Sequence, residues 1–286
     1  MNSRMDRRGF LKGSAIAAAS VMSPSTLANG LAVPANGGGG TIQLGVASYS
    51  FRKFDRAHVI DFMKQLKTPF LSVKDFHLPV GTPDEIKKGS AEFAAGGVQL
   101  VSAGVIYFPL DEDADMRRKF EYCKLAGVPR IIAGPTKQTL PRLERFAKEY
   151  DLKIAIHNHG PEDKEFPSPL DALNAVKDMD PRMGLCIDVG HTARAGTDIV
   201  EAIHKAGARL YDVHIKDLTN PRDRESYVDV GDGILPIPKI FEALIAVDYK
   251  GYVDLEHEIQ ADNPMPGMIK SFAYMRGVLA GMGVKA

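Results

Sequence analysis

Cysteine is scarce in this chain of 286 residues, and long apolar runs are missing. The two cysteines, Cys123 and Cys186, are too few for a disulfide scaffold. Because Cys186 lies inside an apolar segment, we expect two buried free thiols rather than a bridge. The apolar stretch at residues 13–22 has only ten residues, whereas a helix that spans a bilayer needs roughly 20. This stretch is therefore too short to cross a membrane.

The chain also lacks an excess of charge of either sign. Its 36 basic residues balance its 36 acidic residues. Residues 1–35 hold four basic residues and one acid, so residues 36–286 carry a net charge of −3. We therefore expect no polyanion-binding surface and no nucleic-acid partner, although a local basic patch is compatible with this balance.

The N-terminus carries an export pattern. The segment DRRGFLK at residues 6–12 has the twin-arginine pattern and precedes the apolar residues 13–22. We predict that residues 1–35 are a twin-arginine signal peptide and linker, and that the translocation machinery of this pathway is a partner during export. The mature protein would then be periplasmic or secreted. An incidental arginine pair is the alternative. The four glycines at residues 37–40 predict a flexible linker.

From residue 41 onward, short apolar segments alternate with amphipathic ones. The predicted strands lie at residues 43–48, 70–74, 100–106, 130–133, 153–157, 183–188, 210–214 and 252–256. The predicted helices lie at residues 57–66, 83–95, 116–126, 140–150, 169–177, 198–206, 237–247 and 265–279. Eight such units predict an α/β fold, a closed (β/α)8 TIM barrel forming one domain over residues 41–286. An open doubly wound sheet is the alternative, but SYSF at residues 48–51 lacks the glycines of its phosphate-binding fingerprint.

The segment MGLCID at residues 183–188 is the clearest of the predicted strands. A run this apolar and this short is typical of a strand that is buried on both faces. It ends in Asp188, and a buried carboxylate is costly unless it is paired or binds a cation. Residues 192–197 beyond it predict a loop. Asp188 is therefore expected where a buried strand opens to solvent, the edge at which α/β folds place their chemistry.

Four consecutive predicted strands end in a side chain that can bind a divalent cation. They are His157, Asp188, His214 and Glu256, which are 31, 26 and 42 residues apart. Each spacing is about one strand–helix unit, so we expect all four at one rim of the barrel. Two imidazoles and two carboxylates suit one Mn, Zn, Co or Fe ion. Taken singly, Asp188 could be a satisfied buried acid or a helix cap, and Glu256 a surface acid.

Further polar residues lie close to these strand ends. Glu256 is our first candidate for a catalytic base, and His159 is the second. His191, three residues after Asp188, is expected to hold a substrate oxygen or to transfer a proton near neutral pH. Contacts with substrate are expected from three more side chains, Lys216, Lys74 and Asn158. A structural ion pair with Asp75 is the alternative role for Lys74.

Four motifs give the chain a resemblance to a known family. They are IDVGH at residues 187–191, VHIKD at 213–217, VGDG at 230–233 and GYVDLE at 251–256. These motifs are similar to those of the sugar phosphate isomerase/epimerase family, part of the xylose-isomerase-like TIM-barrel superfamily. The resemblance covers residues 41–280 and is more specific in the second half of the chain.

The resemblance implies metal ligands from four successive strands: a glutamate, an aspartate, a histidine and a glutamate. The last three positions are Asp188, His214 and Glu256, whereas His157 stands where the family has its first glutamate. Epimerases of the family use the two glutamates as a pair of bases. The histidine therefore disfavours a symmetrical two-carboxylate epimerisation and leaves elimination or lyase chemistry open.

The resemblance and the export pattern together imply a class of substrate. Sugar phosphates are chiefly cytoplasmic, so we expect an unphosphorylated sugar, keto-sugar or polyol. Its reaction through an enediolate would be epimerisation, isomerisation, dehydration or cleavage of a 3-keto-glycoside.

Two other functions are compatible with the sequence. A non-catalytic carbohydrate-binding barrel would explain the loss of the first glutamate. A nuclease similar to endonuclease IV would need three zinc ions and a basic face for phosphates, which the net charge disfavours. A homo-oligomer is also compatible with the sequence, which identifies no interface.

Overall fold

The computed structural model describes residues 41–286, in which eight parallel strands close into a barrel. The ten strands of this part of the chain are β1 (Gln43–Ala47), β2 (Phe70–Val73), β3 (Gln99–Phe108), β4 (Arg130–Pro135), β5 (Lys153–His157), β6 (Met183–Asp188), β7 (Leu210–Ile215), β8 (Asp217–Leu218), β9 (Tyr227–Val228) and β10 (Tyr252–Leu255). The strands β8 and β9 form a separate antiparallel pair. The other eight form the barrel, which closes where β1 pairs in parallel with β10. The predicted (β/α)8 fold is therefore confirmed, and the open sheet is excluded.

Helices follow the barrel strands and cover their outer faces. They are α1 (Arg56–Leu66), α2 (Pro83–Ala95), α3 (Asp113–Ala126), α4 (Leu140–Tyr150), α5 (Pro169–Val176), α6 (Val189–Arg194), α7 (Ile199–Ala206), α8 (Ile237–Ala246) and α9 (Met265–Gly281). Local chemistry fixes their ends. At the start of α2, for example, Thr82 and Glu85 form a reciprocal capping box. None of the helices within residues 41–286 combines the length and the apolarity that crossing a membrane requires.

The helix α6 extends to Arg194, which corrects the first half of the loop predicted at residues 192–197. Residues 195–197 lie outside any helix or strand, as predicted. Asp188 caps this helix, because its Oδ1 accepts a hydrogen bond from the backbone N–H of His191 at 2.8 Å. A helix of six residues is too short to show an apolar period, so the sequence pattern could not reveal it.

Burial of β6 is complete, as its apolar sequence predicts. All six of its residues are buried, because one face packs against helices and the other fills the barrel interior. Cys123 and Cys186 are both buried and free, which confirms the expected thiols. The predicted signal peptide at residues 1–35 and the glycine run at residues 37–40 lie outside the described residues.

Candidate metal and active site

Four ligand-type side chains meet at the carboxyl end of the barrel. His157 ends β5, Asp188 ends β6, His214 lies in β7 and Glu256 follows β10. One donor atom of each lies within 4.8 Å of the donor atoms of the other three. The convergence arises because parallel strands in a closed barrel present their carboxyl ends at the same rim.

The separations between the donor atoms fit a divalent cation. Nε2 of His157 lies 3.5 Å from Oδ2 of Asp188 and 3.1 Å from Nδ1 of His214. Nδ1 of His214 lies 3.2 Å from Oε2 of Glu256. Ligands about 2.0 Å from a tetrahedral ion are roughly 3.3 Å from one another. Burial lowers the pKa of His157 to about 3, so its imidazole is neutral, as a metal ligand must be. Although burial opposes the effect, Cys186 and Glu256 raise the pKa of His214 well above its ordinary value, so a metal would displace a proton from that ring. These residues would therefore hold the predicted ion.

A buried lysine holds the carboxylates of this cluster together. Nζ of Lys216 lies 2.9 Å from Oδ2 of Asp188 and 2.8 Å from Oε2 of Glu256, and it donates to Glu258 as well. Although burial opposes the effect, this ammonium lowers the pKa of both Asp188 and Glu256. Gly190 in α6 leaves room for the lysine, since a Cβ there would lie 2.7 Å from its methylene carbons. Lys216 thus contacts the ligands rather than standing apart from them.

An open cavity of about 610 Å³ lies above the cluster. Several of the predicted site residues line it: His157, His159, His191, Lys74 and Glu256. Nζ of Lys74 donates to the backbone carbonyl of Val105 and lies 3.8 Å from Oδ1 of Asp75, so both roles expected for it are compatible with its position. The assignment of catalytic and substrate-binding roles to these residues stays a prediction.

Asn158 does not reach the cavity, which corrects its expected contact with substrate. Its side chain is fully buried. Its Oδ1 accepts from the backbone N–H of Asp188, and its Nδ2 donates to the carbonyl of Asp188 and to Oγ1 of Thr192. With both ends of the amide engaged, Asn158 ties the end of β5 to the end of β6. It therefore positions Asp188 from behind.

His159 belongs to a hydrogen-bonded pair that was not predicted from the sequence. Its Nδ1 lies 3.2 Å from Oδ2 of Asp163, and its Nε2 lies 3.2 Å from the hydroxyl of Tyr107. Burial raises the pKa of Asp163, but the hydrogen bond from His159 and two backbone N–H groups outweigh it and hold this pKa at about 2. An ionised carboxylate beside the imidazole fixes the orientation of its ring. An acid four residues after the histidine was the available signal.

His191 faces the same cavity from the first turn of α6. Its Nδ1 lies 3.4 Å from the hydroxyl of Tyr227, a residue of β9. Burial lowers the pKa of His191, so its ring is neutral near pH 7 and can donate one hydrogen bond and accept another. This position agrees with a contact to a substrate oxygen.

A second polar cluster, also missed from the sequence, lies in the barrel beneath the ligands. Asp212 in β7 and Asp254 in β10 are fully buried, and Asp254 pairs in register with His214. A guanidinium nitrogen of Arg130 lies 3.4 Å from Oδ2 of Asp212. Burial first, and then the charge of Asp212, raise the pKa of Asp254 well above its ordinary value. Burial raises the pKa of Asp212 too, so both buried acids beside Arg130 keep a proton to higher pH than free carboxyl groups do.

Replacing Asp254 by asparagine is expected to stabilise the metal-free protein more at pH 8 than at pH 4. The raised pKa means that the folded protein keeps a proton that the unfolded chain releases above its pKa of 3.8. The contribution of Asp254 is thus full below about pH 4 and is lost as the pH rises toward the folded pKa. Asparagine does not titrate, so we expect a gain of about 1–3 kcal/mol at pH 8.

Urea unfolding of both proteins at the two pH values measures this difference. Asp248→Asn is the matched control, because Asp248 is exposed and precedes the same strand. The free energy of unfolding of the control should differ from that of the wild type by the same small amount at both pH values. A difference between wild type and Asp254→Asn that does not change with pH would contradict the raised pKa.

A closed parallel barrel with ligand-type side chains at its carboxyl rim defines the class of (β/α)8 proteins that keep their chemistry at that rim. Within this class, the sequence profile of the xylose isomerase-like TIM barrel family matches residues 72–278. The chain belongs to that family.

Comparison with curated proteins finds inosose dehydratases. The chain is 27% identical over 155 residues to the inosose dehydratase of Geobacillus thermodenitrificans (strain NG80-2), which covers 48% of this chain and 51% of that protein. The inosose dehydratase of Clostridium perfringens (strain 13 / Type A) is 28% identical over 154 residues, or 48% of this chain and 52% of that protein. The chain thus matches about half the length of these relatives.

Solved structures share the fold at lower identity. The IolI protein with a binding zinc atom has a TM-score of 0.70 and 17% identity, covering 84% of this chain and 99% of that one. The 3-keto-D-glucoside 4-epimerase YcjR from E. coli has a TM-score of 0.68 and 19% identity, covering 83% of this chain and all of that one. These likenesses support the barrel architecture alone.

Replacing Asp188 or His214 by alanine is expected to abolish near-stoichiometric binding of a divalent metal. Each change removes one of four donors and leaves the others too few to complete a tetrahedral set. Metal content after loading with Mn or Zn and gel filtration measures the effect, and circular dichroism verifies folding. The control is Asp178→Ala, on the chain between α5 and β6. Unchanged metal content in both site variants would rule out this ligand set.

Proposed function

We propose that this protein is a divalent-metal-dependent enzyme that removes a carbon-bound proton beside a carbonyl group of a sugar, keto-sugar or polyol. One observation carries the proposal: four buried donor atoms converge at the floor of an open cavity, and a histidine–carboxylate pair stands beside them. The cluster offers a cation site, and the pair offers a base. Metal-assisted proton abstraction needs these two parts.

The metal would supply Lewis acidity, which makes the proton beside a coordinated carbonyl easier to remove and stabilises the enediolate. The residues of the chain supply the remaining steps. Glu256 or His159 takes the proton, and the electron pair of the broken C–H bond moves toward the carbonyl oxygen. His191 holds a substrate oxygen. Lys216 stabilises the negative charge of Asp188 and Glu256, the two carboxylates that its Nζ contacts.

The fate of the enediolate separates the possible reactions. Return of the proton to the opposite face gives an epimer. Expulsion of a hydroxyl group from the next carbon gives dehydration, and expulsion of an alcohol from a 3-keto-glycoside gives cleavage. His157 replaces a carboxylate that could serve as a second base, so we favour elimination over symmetrical epimerisation. The relatives named inosose dehydratase support this choice.

The cellular setting is part of the proposal. If residues 1–35 direct twin-arginine export, the enzyme acts in the periplasm or outside the cell, where sugar phosphates are scarce. We therefore propose an unphosphorylated substrate. Fusion of residues 1–40 to a reporter that is active only after export would test this point, with Arg7→Lys and Arg8→Lys together as the control.

Exchange with solvent tests the chemistry directly. The metal-loaded protein in D2O is expected to place deuterium beside the carbonyl of 3-keto-glucosides, inososes or ketoses, as detected by NMR. Chelation of the metal should stop the exchange. A protein that binds a metal and these sugars but catalyses neither exchange nor elimination would instead be a carbohydrate-binding barrel.

A further inference from the structure

Exposed apolar side chains cluster on one side of the cavity mouth. Within residues 41–286, eight large apolar side chains are exposed, and five of them lie at or after the ends of the first three barrel strands: Tyr49, Phe76, Val80, Tyr107 and Leu110. The metal-ligand candidates come from four other strands, β5, β6, β7 and β10, of which β10 pairs with β1. We call the half of the rim with the ligands the polar half. We call the other half, where these apolar side chains lie together with Lys74, the apolar half.

The apolar half is continuous with the proposed site. The ring of Tyr107 stacks on that of His159, with centroids 5.7 Å apart and planes 26° from parallel. The ring of His159 in turn lies 4.5 Å from that of His157. On the other flank, the rings of Tyr49 and Phe76 are 6.3 Å apart. Tyr49 and Tyr107 line the same cavity as the ligand cluster, so a molecule bound at the cluster can reach them.

Three aromatic side chains of this half stay partly exposed, although the guanidinium of Arg52 lies over the ring of Tyr49, 4.8 Å from its centroid. Tyr107 is 55% exposed, Phe76 44% and Tyr49 36%. Gly134 in β4 allows the ring of Tyr107 to lie against the strand, because a Cβ at this position would come within 2.7 Å of the ring. Exposing large apolar side chains to water is unfavourable, and a cluster of them beside a cavity marks a binding surface.

The size of the cavity exceeds what one monosaccharide requires. Its volume of about 610 Å³ lies within the range of roughly 300–1,000 Å³ found for sites that bury drug-sized ligands. If a sugar ring occupies the polar half, the apolar half is left for a second group. A partner protein bound to the aromatic side chains would instead cover the mouth of the cavity, which disfavours a protein as the occupant.

We propose that Tyr49, Phe76 and Tyr107, the aromatic rim, form a subsite for a second, non-reacting ring attached to the sugar that reacts. The substrate is then a glycoside rather than a free monosaccharide. This inference rests on the proposed function for the position of the reacting ring. The ring on the rim is recognised by an apolar face, a property shared by an aryl group and by one side of a pyranose.

Affinity ratios test the subsite. The metal-loaded full chain is titrated with methyl β-D-glucoside, phenyl β-D-glucoside and cellobiose by calorimetry or ligand-observed NMR. Stacking on the rim is expected to make one of the two larger ligands about 3- to 10-fold tighter than the methyl glucoside. A gain for the phenyl glucoside alone identifies an aryl group, and a gain for cellobiose alone identifies a pyranose; either result supports the subsite.

Variants show whether the rim is responsible. In Phe76→Ala and Tyr49→Ala the affinity for the larger ligand relative to methyl glucoside is expected to fall toward one. The control Ile234→Ala removes an exposed apolar side chain outside the rim and should leave this affinity ratio unchanged. Thermal melting confirms that each variant folds. A ratio of one in the wild type, or an unchanged ratio in both rim variants, overturns the inference. So does a wild-type dimer that Phe76→Ala dissociates, because a second copy would then occupy the rim.

Deuterium exchange keeps this test separate from that of the proposed function. Exchange without a preference for the larger ligands would overturn the subsite and leave the function standing. A rim-dependent preference without exchange would overturn the function and leave the subsite standing.

Discussion

Replacing Lys216 by methionine is expected to destabilise the metal-free protein by about 3–5 kcal/mol. Methionine fills a similar volume but removes the ammonium that lies 2.9 Å from Asp188 and 2.8 Å from Glu256. Both carboxylates are buried. Without a cation between them they would either repel each other or take up protons against the trend that lowers their pKa in the wild type.

The same change is expected to strengthen metal binding. A dication at the cluster must share the oxygens of Asp188 and Glu256 with the ammonium, and the two positive charges repel each other. In Lys216→Met that repulsion is gone, so Zn or Mn should bind more tightly and raise the stability of the variant more than that of the wild type. The two effects have opposite signs, which a general packing defect would not produce.

Urea unfolding with a chelator and with added metal measures both effects. Lys250→Met is the matched control, because Lys250 pairs with Asp248 on the surface, where both side chains are largely exposed. Its effect should stay below about 1 kcal/mol, with no change in metal affinity. A Lys216→Met protein as stable as the wild type without metal would show that the lysine does not neutralise the cluster.

The predictable parts of this molecule are those encoded within single strands. The apolar run of β6 predicts burial on both faces, and all of its residues are buried. The spacing of His157, Asp188 and His214 by one strand–helix unit predicts their convergence, because a closed barrel brings the carboxyl ends of parallel strands to one rim. Position within each unit was therefore enough to place the ligand candidates.

The parts that escaped prediction depend on contacts between distant segments. The strand ends place Lys216 near the rim, but its bonds to Asp188 and Glu256 depend on the space left by Gly190 in another segment. The cluster beneath the ligands likewise combines Asp212 and Arg130 from β7 and β4. No local sequence pattern predicts such pairs, because each charged residue taken alone indicates a position on the solvated surface.

Asn158 shows how a local rule can mislead. It lies between two histidines that face the cavity, and this neighbourhood suggests a contact with substrate. Successive side chains of a strand alternate between faces, and the amide of Asn158 is bonded to the backbone of Asp188 instead. A polar residue next to a site often positions that site from behind, as this one does.

Replacing Glu256 by glutamine is expected to slow solvent exchange by about 10²- to 10⁴-fold, the usual contribution of a general base. Glutamine keeps an oxygen that can bind the metal but has no basic carboxylate. The exchange rate is therefore compared at saturating metal, with the bound metal measured in the same sample. If saturating metal restores the metal content of the variant but not its exchange rate, the loss lies in proton abstraction rather than in metal binding.

Two further variants decide between the candidate bases. Glu258→Gln alters a neighbouring carboxylate that also bonds to Lys216, so a loss caused only by disturbing the lysine would appear in both glutamine variants. His159→Gln removes the other candidate and frees Asp163 from its hydrogen bond. If Glu256→Gln keeps exchange while His159→Gln loses it, the base is the imidazole oriented by Asp163. Glu256 would then serve only as a metal ligand. His157 would no longer disfavour epimerisation, because the second base need not be a carboxylate of the cluster.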